Sequence, residues 1–304
     1  MSAEVGIALC IYNPEPAILR LQLESLTRQT FTDFIVRIQA DSPFVPLALE
    51  APDERFVWVQ NQSRLGFKRN FETCVSVLSE QGVKYIALCD QDDLWDPDKL
   101  ETLVKTIRAK PPLSLIHSDL RGLAQNGAIL FDSVWSTERR NVDQFATADL
   151  LVRNVVTGCS SLFDARIANL YGKISESCDY HDHWYALAAS VEGGVYPVHR
   201  TLMSYRQHPG NTSGGTHPYT MTLPNPAKLL AASRRHSDRL QKLHRVAQDL
   251  IRINPSSKKQ LVPFSDANPP SPAQLFESVI RSIGRDPGRT LAYLRLCLGS
   301  LPGR

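Results

Sequence analysis

The sequence lacks the features that mark a membrane-spanning or exported protein. No window approaches the ~20 consecutive apolar residues that a membrane-spanning helix needs. The first residues, MSAEVGIALCIYN, do not form the basic segment, apolar run and cleavage site of a secretory signal. We therefore expect a soluble chain that stays in the cytoplasm, and its 304 residues suffice for one large domain or two ordinary ones.

Cysteine pairs with the spacing of metal ligands are also missing. The six cysteines are far apart, and no two of them form a CxxC pair. Several lie inside apolar runs, where a reduced thiol behaves as a small core residue. These features argue against disulfide bonds and against a structural zinc site.

Strand and helix signals alternate through the first half, which is typical of an α/β fold with a parallel sheet flanked by helices. The apolar runs predict strands at 5–11, 34–40, 56–61, 85–89 and 114–118. The helical patterns predict helices at about 18–29, 71–81, 98–109 and 182–191. Because ligands collect at the carboxyl ends of the strands in such sheets, we expect Asp41, the Gly66 loop and the residues after 89 to meet in one crevice.

Acidic residues follow the strand at 85–89, in the stretch LCDQDDLWDP. Their mutual repulsion costs free energy unless a cation or hydrogen-bond donors compensate for it. Asp96 and Asp98 are expected to cap the following helix, which leaves Asp90, Asp92 and Asp93 to be explained. Carboxylates suit Mg²⁺ or Mn²⁺, which share their remaining positions with a substrate diphosphate. The glycine and distal glutamate of an EF-hand loop are missing, so that type of calcium site is excluded.

A basic segment marks the last third of the chain. Residues 227–259 contain nine Lys or Arg against Asp238 and Asp249. Within 228–252 an apolar stripe lies opposite the arginines, as expected for an amphipathic helix. Two interpretations stay open, since this helix can pack on the preceding part of the chain or lie in a membrane interface as a peripheral contact on the cytoplasmic face of the inner membrane. We expect no nucleic-acid partner.

The composition changes again after 254, where NPSSKKQLVPFSDANPPSP is rich in Pro, Ser and Asn. This composition predicts a linker over about 254–272, before two short helices near 276–283 and 290–298. We therefore expect a first domain at 1–220 and a helical C-terminal extension at 221–304.

Several of these stretches occur together in one known family. They are Ile11-Tyr12-Asn13 after the first strand, SLTRQTFTDF, RLGFKRNF, CDQDDLWDPDKLE, NVVTGCSSLF, HDHW and YRQHPGN. In this order and spacing the chain resembles the inverting glycosyltransferases of family two, which have the GT-A fold, a Rossmann-like nucleotide-binding sheet flanked by helices. The DQDDLWDPDKLE and YRQH elements particularly resemble the bacterial branch that contains rhamnosyltransferases of cell-surface polysaccharide synthesis.

The resemblance implies a site for a nucleoside diphosphate sugar. The residues that match its donor-binding positions are Tyr12 and Asn13 beside the nucleotide, Asp41 on the pyrimidine, Lys68 and Arg69 near the base or diphosphate, and Asp92 facing the ribose. Asp93 matches the ligand of a Mg²⁺ or Mn²⁺ ion, and His208 of the YRQH element can close on the same metal or diphosphate.

The HDHW element matches the family position of the catalytic base. The resemblance implies that Asp182 deprotonates a hydroxyl of a glycan or lipid-linked glycan acceptor while the metal takes up charge on the departing diphosphate. Trp184 follows on the first helical turn, where it can stack on an acceptor sugar, although a tryptophan is more often a core residue. His181 and His183 are the rivals for the role of the base.

Two other classes of protein share parts of this pattern. Sugar nucleotidyltransferases have the same kind of sheet and acidic metal site, but they hold a triphosphate in a Gly-rich, basic loop, and residues 11–15 read IYNPE. A non-catalytic module that binds a sugar nucleotide or glycan would keep Asp41 and need no base. The sequence favours a transferase. The branch resemblance implies L-rhamnose on a thymidine diphosphate as the first choice of donor, with galactose or an N-acetylhexosamine on uridine diphosphate next.

Overall fold

The apolar runs form a β-sheet that is mixed rather than wholly parallel. The computed structural model describes residues 3–41, 52–207, 233–282 and 286–299. Its strands are β1 (Val5–Ile11), β2 (Phe34–Ala40), β3 (Phe56–Gln60), β4 (Tyr85–Cys89), β5 (Leu94–Trp95), β6 (Ser114–Leu123), β7 (Ile129–Phe131), β8 (Ser161–Asp164) and β9 (Gly194–Arg206). Within the described ranges they follow the order β3-β2-β1-β4-β8-β6-β9-β5, and β7 pairs with β6.

The parallel part of the sheet sets the position of the cleft described below. β1 pairs in parallel with β2 and β4, and β2 pairs in parallel with β3. Ile11 is level with Ala40, and Leu9 is level with Cys89, so β1, β2 and β4 end at the same edge. β8 is antiparallel to both β4 and β6, which the alternating sequence pattern did not predict.

The helices agree with most of the sequence predictions. They are α1 (Pro16–Thr27), α2 (Phe67–Glu80), α3 (Lys99–Ile107), α4 (Val134–Thr137), α5 (Thr147–Val152), α6 (Arg166–Tyr171), α7 (His181–Val191), α8 (Ser233–Ile253), α9 (Pro272–Ser282) and α10 (Pro287–Gly299). Short 3₁₀ helices occur at Gly158–Ser160 and Pro255–Leu261. α2 begins four residues earlier than predicted, directly after Gly66, whose φ of +78° a glycine adopts without steric cost.

Apolar faces of the helices pack on the sheet. Every residue of β1 is buried, and Leu19, Leu23 and Leu26 recur on one face of α1 within the same core cluster. Burial of each such leucine stabilises the fold by roughly 1.5–3 kcal/mol. This core holds the strand ends that carry the polar residues of the cleft.

The described residues fall into two compact units that are not contiguous in sequence. The first unit draws on Met1–Val134, Val156–Ile174 and Asp179–Thr216 and contains the whole sheet. The second draws on Trp135–Val155, Ser175–Cys178 and His217–Arg304. Residues 135–155 thus join the C-terminal unit, whereas the predicted division at residue 220 assigned them to the catalytic domain.

The second unit is helical, and its predicted linker is packed structure. Residues 254–272 contain the 3₁₀ helix Pro255–Leu261, and Leu261 and Phe264 are fully buried. The expectation of a linker was wrong here, because two apolar side chains in a Pro- and Ser-rich stretch suffice to fix it against neighbouring helices. In α8 the predicted apolar stripe is also buried, at Leu240, Leu243, Ala247 and Leu250. Leu229 and the rest of 228–232 lie outside the described residues.

The described helices include none with the length and apolar composition needed to cross a membrane.

Candidate functional site

A cleft of about 400 Å³ lies in the first unit, at the carboxyl ends of β1, β2 and β4. Among the residues that line it are Tyr12, Asp41, Asp90, Asp92 and Asp182. The parallel register explains this convergence, because strands that end at the same edge present the residues that follow them to one crevice. The sequence prediction that the strand ends share one crevice agrees with this geometry.

Asp41 organises the loop on one side of the cleft. Its Oδ1 accepts hydrogen bonds from the backbone N–H of Leu65 at 2.7 Å and from Nδ2 of Asn61 at 2.8 Å, and its Oδ2 accepts from the N–H of Gly66 at 2.8 Å. The carboxylate is buried, and its bonds to residues 65 and 66 fix the backbone that leads into α2. In this structure Asp41 therefore binds the protein backbone, whereas the resemblance placed it on a pyrimidine.

Tyr12 and Arg64 form an exposed wall of the cleft. The guanidinium of Arg64 lies over the Tyr12 ring at 4.3 Å, a cation–π contact. The backbone N–H of Tyr12 donates to Oε1 of Gln91 at 2.8 Å, and Nε2 of Gln91 donates back to the Tyr12 carbonyl at 3.3 Å. Asn13 follows with a positive φ of 43° and is not part of the cleft lining.

Among the described residues, the cationic side chain that lines the cleft is Arg64 rather than Lys68 or Arg69. Neither of those two lines the cleft, and Arg69 forms an ion pair with Glu72 at 2.5 Å, one turn further along α2. Because α2 begins at Phe67, Lys68 and Arg69 belong to its first turn, whereas Arg64 lies in the preceding loop. Sequence reasoning missed Arg64, although it stands at the head of the RLGFKRNF stretch.

The acidic cluster divides into groups with different environments. Asp90 and Asp92 line the cleft, whereas Asp93 is fully buried and its Oδ1 accepts from the backbone N–H of Arg206 at 3.2 Å. Asp96 pairs with Arg121 at 2.8 Å. Asp98 occupies the N-cap position of α3 but makes no capping hydrogen bond with its side chain. The prediction that both aspartates cap the helix was therefore wrong, because Asp96 pairs with Arg121 and Asp98 pairs with Arg200.

The pKa values of Asp90 and Asp93 are raised. Burial, followed by the charges of Asp92 and Asp182, raises the pKa of Asp90 to about 7. Burial and the charges of Asp92 and Asp90 raise the pKa of Asp93 well above its usual range. Both shifts report an excess of negative charge in a desolvated place, which a bound cation would relieve.

The donor atoms of this cluster fit a divalent cation. One ligand atom each from Asp90, Asp93 and Cys159 lies within 4.8 Å of the other two. Two carboxylates and a thiol are a donor set that can hold such an ion. His208, the other predicted metal ligand, lies outside the described residues.

Lys99 is the buried cation beside this cluster. Its Nζ donates to the backbone carbonyl of Cys159 at 2.5 Å and lies 3.3 Å from the centre of the Trp95 ring. Burial lowers its pKa to about 8. The lysine thus fixes the 3₁₀ turn Gly158–Ser160 on the inner side of the acidic cluster.

Asp182 lies on the first turn of α7 and lines the cleft. Its Oδ2 accepts from the backbone N–H of Gly158 at 3.1 Å, and its Oδ1 accepts from the N–H of His183 at 2.7 Å. These contacts orient the carboxylate in the same cleft as Asp90 and Asp92. The arrangement suits a general base for a hydroxyl that reaches within hydrogen-bonding distance.

The neighbours of Asp182 have structural contacts. His181 is buried and stacks on Phe71 with ring centroids 3.7 Å apart, and burial lowers its pKa to about 3. His183 is not part of the cleft lining. Trp184 is a core residue whose Nε1 donates to the carbonyl of Tyr171 at 2.8 Å. The expectation that it stacks on a sugar was wrong, because the helical turn directs it inward.

Curated relatives match parts of this chain. An uncharacterized glycosyltransferase of Methanocaldococcus jannaschii is 29% identical over 132 residues, which cover 41% of this chain and 44% of that protein. An uncharacterized protein of Sinorhizobium fredii is 24% identical over 224 residues, 69% of this chain and 23% of that protein. The chain spans less than half the length of these relatives.

Solved structures share the fold. S. aureus TarS, in its fragment 1-349, superposes with a TM-score of 0.53 at 10% identity, over 98% of this chain and 90% of that one. Its complex with UDP-GlcNAc gives a TM-score of 0.51 at 10% identity, over 98% and 91%. Identities this low establish likeness of fold alone. The fold is mixed α/β and GT-A-like, with a helical C-terminal part. The family model described as Glycosyl transferase family 2 matches residues 7–161, half of the sequence, and the chain belongs to that family.

Proposed function

We propose that this protein is a nucleotide-sugar glycosyltransferase that acts at the cleft of its first unit. One observation carries the proposal: the Asp41-anchored loop, the carboxylates Asp90 and Asp92, and Asp182 line a single cleft at the strand ends. Membership of glycosyl transferase family 2 supports it. S. aureus TarS, a protein of similar fold, has been solved in complex with UDP and with UDP-GlcNAc, which also supports the proposal.

The donor nucleotide is expected to lie against Tyr12 and Arg64. An aromatic ring suits a pyrimidine face, and a guanidinium can bind a phosphate oxygen once it leaves the tyrosine ring. Asp41 would act through the loop it holds, since its carboxylate oxygens already accept three hydrogen bonds. Asp92 would face the ribose.

Asp93 and Asp90 are the proposed ligands of a Mg²⁺ or Mn²⁺ ion. A divalent cation bound there supplies positive charge to the diphosphate oxygens as the bond between sugar and phosphate breaks. Calorimetry tests this assignment, because binding of a nucleoside diphosphate should collapse with a chelator or in Asp93→Ala. Binding of equal strength without metal would contradict it.

Asp182 is the proposed general base. With its carboxylate oriented by the amides of Gly158 and His183, it would take the proton of the acceptor hydroxyl as that oxygen attacks the anomeric carbon. A single base and a single displacement invert the anomeric centre. A binding module without catalysis would need no such carboxylate in the cleft.

The proposed sugar and acceptor depend on two sequence motifs. We propose L-rhamnose as the first sugar to test, with a glycan or lipid-linked glycan acceptor in bacterial surface polysaccharide synthesis, because DQDDLWDPDKLE and YRQH resemble the rhamnosyltransferase branch. Incubation with labelled nucleoside diphosphate sugars, scoring both hydrolysis and transfer, tests activity and donor together. Binding without turnover of any donor would favour a non-catalytic module, and release of pyrophosphate from a triphosphate would favour a nucleotidyltransferase.

A peripheral membrane contact of 228–252 is a separate proposal. Because the apolar stripe of α8 is buried, the contact would be electrostatic and use exposed arginines such as Arg235 and Arg245. Sedimentation with anionic vesicles at low and high salt tests it. Absence of binding at low salt would leave intramolecular packing as the role of this helix.

A further inference from the structure

A pocket of about 640 Å³ lies wholly within the second unit. Residues 144–149, at the start of α5, form one wall, and most of the rest comes from the 3₁₀ helix Pro255–Leu261, α9 and α10. Among the described residues that line it, three side chains are cationic and one is a carboxylate: Lys259, Arg281 and Arg289 against Asp149. This excess of two positive charges favours an anionic ligand.

Arg289 lies at the wall of this pocket and is only partly paired. It is buried, with 3% of its surface exposed, in the first turn of α10. Its Nη1 donates to the carbonyl of Gln144 at 3.4 Å and to Oδ2 of Asp149 at 3.1 Å. Because both of these partners line the pocket, the guanidinium end of the arginine lies there too. In the described part of the chain, its Nε and Nη2 are buried without a hydrogen-bond partner.

The neighbouring carboxylate of Asp286 does not complete the guanidinium. Its Oδ2 lies 3.7 Å from Nη2 of Arg289, which is too long for a hydrogen bond, and accepts from the backbone N–H of Asn141 at 3.4 Å. Its Oδ1 pairs with the guanidinium of Arg153 and accepts from the backbone N–H of Arg289 at 2.9 Å. The side chain of Arg289 therefore keeps two unused donors.

The two unused nitrogens of Arg289 form one edge of the guanidinium. The N–H of Nε and one N–H of Nη2 point in the same direction, so this edge can donate two parallel hydrogen bonds to one oxyanion. Buried donors without acceptors cost free energy. A ligand that places two oxygens against this edge would remove that cost.

Lys259 and Arg281 supply further positive charge from exposed positions. Lys259 lies on the 3₁₀ helix Pro255–Leu261, and Arg281 lies on the last turn of α9, where its Nη2 donates to the hydroxyl of Ser278 at 3.0 Å. A phosphate monoester carries about 1.5–2 negative charges at neutral pH, which matches the excess of two cations. A single carboxylate would leave one cation in excess.

We propose that this pocket binds a phosphate group, with two of its oxygens on the Nε and Nη2 edge of Arg289 and the others in contact with Lys259 and Arg281. Free inorganic phosphate and the monoester headgroup of a lipid share this chemistry. Val262, an exposed apolar side chain in the same lining, offers a lipid an additional contact. None of these residues belongs to the proposed transferase site, so the pocket adds a separate ligand to the C-terminal unit.

Calorimetry of the full chain with inorganic phosphate tests the site. Arg289→Lys keeps the charge but loses the two-donor edge, so it should weaken binding by about tenfold or more. Lys259→Ala and Arg281→Ala should each weaken binding by about threefold to tenfold. Lys258→Ala is the matched control and should have less than about a twofold effect, because Lys258 is exposed on the same 3₁₀ helix but does not line the pocket. Equal losses in Lys258→Ala and Lys259→Ala would overturn the proposal.

Thermal unfolding removes the dependence on folding of the buried Arg289→Lys variant. Phosphate should raise the unfolding temperature of the wild type and of Lys258→Ala, and should raise it less in a double variant of the exposed Lys259→Ala and Arg281→Ala. A response that Arg64→Ala abolishes and the double variant keeps would place the phosphate in the cleft and overturn the proposal. An equal response to succinate would overturn the choice of phosphate over a carboxylate.

Vesicles distinguish the two sources of the phosphate. Phosphatidic acid presents a phosphate monoester, and phosphatidylserine vesicles of matched surface charge control for general attraction to anionic lipid. A preference for phosphatidic acid that Lys259→Ala removes and Lys258→Ala retains would support a lipid headgroup as the ligand. Calorimetric binding of inorganic phosphate without this preference would support the free anion, and absence of both would overturn the proposal.

Discussion

The backbone N–H of Gly158 donates a hydrogen bond to Oδ2 of Asp182 across 3.1 Å, so the turn before β8 orients the carboxylate on α7. A Cβ atom at position 158 would lie 3.0 Å from Cβ of Asp182. That distance leaves no room for a methyl group unless the aspartate shifts. The glycine is therefore part of how the cleft holds its candidate base.

Gly158→Ala should reduce sugar transfer by about tenfold to a hundredfold, because a displacement of the base by a fraction of an ångström disturbs the geometry of attack. Donor affinity and the unfolding temperature should change little. Steady-state kinetics with calorimetry of donor binding checks this. A variant that transfers sugar at the wild-type rate would show that the contact with Asp182 does not matter for the reaction.

Asp182→Asn should keep donor affinity and lose most transfer, because loss of general-base assistance typically costs ~10²–10⁴ in rate. The asparagine retains the size of the side chain and can still accept hydrogen bonds through its carbonyl oxygen. His183→Ala serves as the comparison on the same helical turn. If Asp182→Asn remained active while His183→Ala was inactive with binding intact, the imidazole would be the base.

Arg64→Ala should weaken nucleoside diphosphate binding by about tenfold to a hundredfold, since a charge-assisted hydrogen bond to a phosphate contributes about 1.5–3 kcal/mol. Arg69→Ala is the matched control, because Arg69 is paired with Glu72 and does not line the cleft. Calorimetry with UDP measures both. Equal losses in the two variants would show that a general change of charge, rather than the position of Arg64, is responsible.

Asp41→Asn should loosen the loop at Leu65 and Gly66. Each carboxylate oxygen of Asp41 accepts a hydrogen bond from one of these two backbone N–H groups, and the amide nitrogen of asparagine cannot accept either bond. We expect weaker donor binding together with faster hydrogen exchange at the amides of residues 65 and 66. Asn61→Ala removes another partner of Asp41 and leaves both backbone bonds, so it should affect exchange less. Unchanged exchange in Asp41→Asn would contradict this role.

His181 should make stability depend on pH. Burial lowers its pKa to about 3, so below about pH 6.5 the unfolded chain takes up a proton that the folded chain does not. The unfolded state then binds more protons, and this contribution to the free energy of unfolding falls as the pH drops from 6.5 towards 3, by at most about 1.4 kcal/mol per pH unit. His181→Phe preserves an aromatic ring against Phe71 and should flatten this part of the profile. Denaturant unfolding at several pH values measures the difference, and parallel profiles for the two proteins would refute it.

Much of the fold followed from local pattern. The strands at Val5–Ile11, Phe34–Ala40 and Tyr85–Cys89 have the predicted bounds, because continuous apolar runs between turn signals leave few alternatives. The antiparallel direction of β8 was not predictable in this way, since the direction of a short buried strand depends on the path of the chain around it. The packed segment at 254–272 was missed for a similar reason, because composition does not report which side chains find partners.

The sequence by itself determined the types of residue that could do chemistry and their place at strand ends, since both depend on nearest neighbours in the chain. Tertiary structure alone decided which of them share a cleft. In the folded protein Asp41 bonds the backbone of the loop, Trp184 is buried in the core and Arg64 lines the cleft. Folding also brings Cys159 close to Asp90 and Asp93, about 70 residues away along the chain. The physical reason is that burial and pairing between strands are fixed by contacts between distant segments, which no local pattern contains.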